Sequence, residues 1–132
     1  MRDAILSIDE LLPYDDVLCG EWLQYLRENF DENKVQPILV VPYQGKYLIA
    51  DGHVFCYYLY HYKGIEQFRA IIIETDADLA SYGRGALDQS TPYRYNLLWF
   101  IYDYEKTYKR NCEASGIGSI RDYRKRHISR AR

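Results

Sequence analysis

The tripeptide Asp51-Gly52-His53 combines residue types that can build a small polar site where the chain changes direction. An imidazole can donate to an anion or carry a proton near neutral pH. A carboxylate two positions earlier can hold a metal ion or orient the ring. The glycine between them lets backbone approach a ligand, and the free N–H groups of a helix starting there favour an anion. Phosphate suits that combination. Asp51 and His53 are therefore candidate catalytic residues, Gly52 and His53 candidate phosphate-binding residues, and Asp51 the candidate metal ligand.

The surrounding pattern says how such a tripeptide would be held. Pro37-Ile38-Leu39-Val40-Val41 is rich in β-branched residues, Tyr43-Gln44-Gly45-Lys46 reads as a turn, and Tyr47-Leu48-Ile49-Ala50 returns, so 38–50 is expected to be a β-hairpin. The apolar and aromatic run from Val54 to Tyr62, closed by Lys63-Gly64, predicts a buried helix with a glycine C-cap. Residues 4–8 and 68–74 read as strands. Between them, Glu21 to Phe30 places Trp22, Leu23, Leu26 and Phe30 at helical spacing, which predicts an amphipathic helix with those four on its apolar face. Downstream, 78–82 reads as a turn or short helix, Gly83, Gly85 and Pro92 punctuate a loop, and a helix is expected from Tyr93 to Lys109. The glycines of 111–119 break it, and a final basic helix is expected over 119–130.

A chain of 132 residues, 48% of them apolar, fits one domain with its own core. The expected division is an α/β core over 1–75 and a helical extension over 76–132 belonging to the same domain. No apolar run reaches the roughly 20 residues needed to cross a bilayer. The acidic start Met1-Arg2-Asp3 lacks the plan of a signal peptide, so a soluble, cytoplasmic protein is expected, with no membrane partner. Cys19, Cys56 and Cys112 are widely separated and in no metal-binding spacing, which points to packed or partly exposed thiols. Charge is unevenly spread. Lys106, Lys109, Arg110, Arg121, Arg124, Lys125, Arg126, Arg130 and Arg132 face only Glu113 and Asp122 in the last 27 residues, leaving the rest of a chain of net charge −2 strongly acidic. A basic C-terminal arm can meet phosphates of DNA. The same charge would also suit a solvated tail. Fifteen tyrosines, many in 57–62 and 93–108, suit core edges and interfaces and can also stack on bases.

Gln36-Pro37-Ile38-x-Val40, Tyr47-x-Ile49-x-Asp51-Gly52-His53, the helix closed by Gly64, and Ile71-Ile72-Ile73-Glu74, in that order, resemble the ParB-like superfamily, which includes chromosome-partition ParB domains, ParB-like nucleases, sulfiredoxin and small-molecule kinases. The resemblance covers about residues 4–74 and includes Ile8-Asp9-Glu10-Leu11-x-Pro13. It implies a small mixed sheet flanked by helices. The kinase-like branch implies a second acid just after an early proline; here that is Asp15, with Asp16 beside it, making Asp15 the third candidate catalytic residue. Val54-Phe55-Cys56 departs from the family, whose members carry arginine there, so bidentate phosphate clamps are missing. The Gly-Cys-His-Arg order of sulfiredoxin is absent as well.

Three functions follow from these expectations. The first is sequence-nonspecific DNA binding through Lys109, Arg110, Arg121, Arg124, Lys125, Arg126 and Arg130, with a metal-dependent nuclease as a variant in which Asp51, His53 and Asp15 or Glu10 hold a divalent ion. The second is a nucleotide-dependent phosphotransferase or NTPase, using Mg2+ and a nucleoside triphosphate at the Asp51-Gly52-His53 loop. The third is a non-catalytic assembly module, such as a homodimer formed through the aromatic helix.

Overall fold

The computed structural model describes residues 2–82 and 96–130. The loop expected around Gly83, Gly85 and Pro92, and the first residues of the helix expected from Tyr93, lie outside them. The hairpin forms as expected: β3 (Ile38–Tyr43) and β4 (Lys46–Asp51) pair antiparallel down to Tyr43 opposite Lys46. Gln44 and Gly45 make the turn with φ of 48° and 80°, the two positive values that a two-residue type I′ hairpin needs. On β3 runs a parallel β5 (Gln67–Ile72), whose outer neighbour is β1 (Arg2–Ser7), antiparallel; β2 (Leu11–Leu12) pairs parallel with β4. The sheet order is β1-β5-β3-β4-β2. This is the mixed α/β architecture expected from the sequence.

Alternation along β3 sends Ile38 and Val40 to one face and Leu39, Val41 and Tyr43 to the other, and both faces are buried. On the first face lie α1 (Gly20–Asn29), α2 (His53–Lys63) and the C-terminal residues Ile117, Ile120 and Tyr123. On the second lie Leu79 of α3 (Asp76–Tyr82) and Phe100 of α4 (Leu97–Asp103), with Tyr104 just beyond. The α4 helix passes through a π-helical stretch, Tyr104–Tyr108, into α5 (Lys109–Ala114). Gly116, at φ 75°, lies just beyond its end, so the helix runs past the break expected at Asn111. Gly64 closes α2 as expected, its N–H reaching Leu59 and Tyr60 carbonyls.

Two expectations fail. Residues 119–130 form no helix but two short 3-10 turns, Ile120–Asp122 and Lys125–His127. Each turn buries a residue, Ile120 and then His127, and Tyr123 between them is buried too. Ile117, Ile120, Tyr123 and His127 thus recur every three or four residues without an α-helix. Trp22 also does not join the core: Leu23 and Leu26 do, while Trp22 is 46% exposed.

Candidate functional site

Strand β4 ends at Asp51, and α2 starts two residues later. Gly52 makes the corner at φ 113°, and a Cβ built on it would lie 2.7 Å from Ile38 Cγ2. The missing side chain therefore faces β3, not a ligand. What Gly52 provides is close approach of the corner to the neighbouring strand, which sets where α2 begins. No side chain caps that helix start.

His53 is the first residue of α2 and is buried. Its Nε2 accepts hydrogen bonds from the backbone N–H groups of Tyr14 (2.8 Å) and Asp15 (3.3 Å). Two donors at Nε2 place the ring proton on Nδ1. That nitrogen lies 3.8 Å from Asp15 Oδ2. Burial lowers the pKa of His53 and the Asp15 carboxylate opposes the change, so the ring is held as a neutral acceptor that ties down the loop carrying Asp15. The acid facing His53 is thus Asp15 rather than Asp51. Asp51 stands at the mouth of the adjoining groove, where surrounding protein raises its pKa and the N–H of Gly52 partly offsets this.

Two cavities meet at this corner. One, of about 210 Å3, is lined by Asp15, Cys19, Trp22, Asp51, Gly52 and His53 among others. The other, of about 330 Å3, shares Trp22, Asp51 and Gly52 and runs between α1 and the start of β3. Trp22 and Tyr25 form its aromatic wall, with ring centroids 5.1 Å apart and planes 10° from parallel. Phe30 and Phe55 lie deeper, and Asn29, Gln36 and Lys34 supply polar edges. These aromatics are the part of the site that the sequence reading misses. The signal is there in Trp22 and Tyr25, one turn apart on α1, but helical spacing assigns Trp22 to the core.

The remaining candidates are dispersed. Glu10 accepts from the N–H of Ser7 in a capping box, so it serves the turn after β1 and not a metal. Among the described residues no group of three or more His, Cys, Asp or Glu side chains is arranged to hold a metal ion. Cys56 is fully buried and its thiol is pushed far up by desolvation, while Cys112 is raised to about 12; both are inert as nucleophiles. Arg121 is committed inside the protein, to Glu66 at 2.6 Å, Asp9 at 3.3 Å and the Tyr60 hydroxyl at 2.9 Å. Arg124 donates to the carbonyls of Arg121 and Tyr123 but stays exposed, as do Lys125, Arg126 and Arg130. Lys109 and Arg110 are on α5, away from that group in sequence.

No family model and no curated protein matches this chain. Among solved structures it is similar to protein Atu1540 from Agrobacterium tumefaciens, at 16% sequence identity and a TM-score of 0.51, over 80% of this chain. The chain spans about half of that protein, 49% of its length. The likeness establishes a shared fold. Among the described residues no helix is long and apolar enough to cross a membrane.

Proposed function

We propose that this protein is a nucleotide-dependent phosphoryl-transfer enzyme of the ParB-like type, with its site at the start of α2. The observation carrying this reading is the convergence of Asp15, from the loop after β2, with Asp51 and His53, from the β4–α2 corner, on cavities that meet beneath an aromatic wall. A heteroaromatic base fits the groove beside Trp22 and Tyr25, where stacking contributes on the order of 1–3 kcal/mol. Its phosphates fit the uncapped N–H groups of α2. Lys34, from the groove wall, replaces part of the charge that the absent arginines would supply.

Two carboxylates beside phosphates need a divalent cation. Asp51 suits Mg2+ of the kind that arrives with a nucleotide and keeps most of its ligands from phosphate and water, for which a protein cage of three side chains is unnecessary. Such an ion, when bound, neutralises charge on the transferring group. The chain's own residues divide the work: His53 fixes the Asp15 loop, Asp15 takes the proton of the attacking hydroxyl, and Asp51 orients the phosphate end.

The test is a melting-temperature series with ATP, CTP, GTP and ADP, each with and without Mg2+. Saturation at about one hundred times Kd adds about 2.7 kcal/mol, a rise on the order of 10 °C for a domain of this size. The rise should need Mg2+ and vanish in Asp51→Ala. If no nucleotide raises the melting temperature under any condition, the reading is wrong.

A second reading has its own observation: Arg124, Lys125, Arg126 and Arg130 are exposed close together in sequence, a stripe that DNA phosphates would neutralise. Four such contacts predict roughly a hundredfold loss of affinity between about 50 and 200 mM salt. Binding that hardly responds to salt, or survives reversal of Arg124, Lys125 and Arg126 to glutamate, would rule it out.

A further inference from the structure

The loop from Pro13 to Cys19 carries Asp15 yet contains no helix and little strand, so its shape must come from what grips it. One grip is His53, already described. The others come from residues about a hundred positions later. The Tyr123 hydroxyl donates to the Asp15 carbonyl. Leu18 donates its N–H to the His127 carbonyl at 2.8 Å and accepts from the Ser129 N–H at 2.9 Å, a parallel bridge between Leu18 and Ile128. Ser129 Oγ accepts from the N–H of Gly20 at 2.9 Å, at the first residue of α1. On the opposite side the Tyr14 hydroxyl donates to the Phe100 carbonyl, and its ring packs on Phe100, Tyr104 and Tyr108.

Tyr123 is 1% exposed, although it sits in the most basic stretch of the sequence, and burial keeps its phenol protonated and able to donate. Its ring meets Tyr57 of α2 edge-on at 6.2 Å, so one residue spans from the helix bearing His53 to the loop bearing Asp15. We propose that Tyr123 is a positioning residue for Asp15, and that the segment 117–129 is a working part of the α2 site rather than a free basic arm. The proposal rests on the reading of Asp15 and His53 as site residues. It assigns the hydroxyl of Tyr123 a role that its ring alone does not fill: registering the Asp15 backbone against the imidazole.

The experiment is 15N NMR of the neutral histidine rings in wild type, Tyr123→Phe and Ser129→Ala. Phe fills the same core volume, so a merely structural role leaves the His53 signals unmoved. The expected result in Tyr123→Phe is that the neutral-ring Nε2 shift moves toward that of a nitrogen without donors, as the Tyr14 and Asp15 N–H groups withdraw. Should Tyr123→Phe not fold, Ser129→Ala loosens the same loop from its other end with no change to the core, and the same shifts decide the matter. His53 signals identical to wild type in the folded variant overturn the proposal. The readout needs no nucleotide, so it fails separately from the phosphoryl-transfer reading, which the melting series decides.

Discussion

Replacing Gly52 with alanine is expected to destabilise the protein by about 2–6 kcal/mol. Two costs combine. At φ 113° an L side chain is strained by about 1–3 kcal/mol, and the new Cβ would stand 2.7 Å from Ile38 Cγ2 and 3.1 Å from Ile38 Cβ. Ile38 cannot step aside easily: it is β-branched, 2% exposed, and held in a strand paired on both sides. Overpacking of this kind costs a further 1–3 kcal/mol or so. Gly64→Ala is the natural control, since Gly64 has φ 69° and a Cβ added there would meet nothing within 4 Å, so it should lose only about 1 kcal/mol. Urea denaturation of both variants measures the difference. Equal losses at the two glycines would mean that the contact with Ile38 is unimportant.

Asp15→Asn is expected to lower nucleotide turnover by about 10²–10⁴, the usual range for a lost general base. An amide keeps the shape of the carboxylate but cannot take a proton. The main-chain grips of the loop, from His53 and Tyr123, are untouched by the change. Nucleotide binding, followed by the melting-temperature rise with Mg2+, should therefore persist. Phosphate release and melting temperature are measured side by side. Turnover at the wild-type rate in Asp15→Asn would remove Asp15 from the chemistry, and loss of binding alone would make it a ligand for the nucleotide-borne ion instead.

The hairpin, α2 and its glycine cap are legible in the sequence because each is decided locally: Gln44-Gly45 between two apolar runs, the first rich in β-branched residues, and an unbroken apolar run ended by Gly64. Asp51 and His53 stand out as candidate site residues for the same reason, from their place between strand and helix. Their partners do not. His53 is bound by main-chain groups of Tyr14 and Asp15, and main-chain donors leave no mark in residue type. Gly52 in the sequence suggests openness to a ligand, whereas its constraint is the neighbouring strand. The C-terminal segment misleads most, because its charge is visible and its buried residues are few. Arg121 directs that charge to Asp9 and Glu66, acids far away in sequence. Trp22 misleads because helical spacing marks a face without saying whether the core or a groove lies against it.

The grip of residues 123–129 on residues 13–20 also has a meaning in time. During synthesis the hairpin and α2 have all their local partners soon after they emerge, and β5 can join them next. The Asp15 loop cannot be fixed then, since the groups that hold its far end, up to Ser129, are the last of the described chain to be made. A nascent chain would thus own a nearly complete sheet before the loop carrying Asp15 was fixed. Any competence that depends on Asp15 would switch on only after residues 123–129 have emerged.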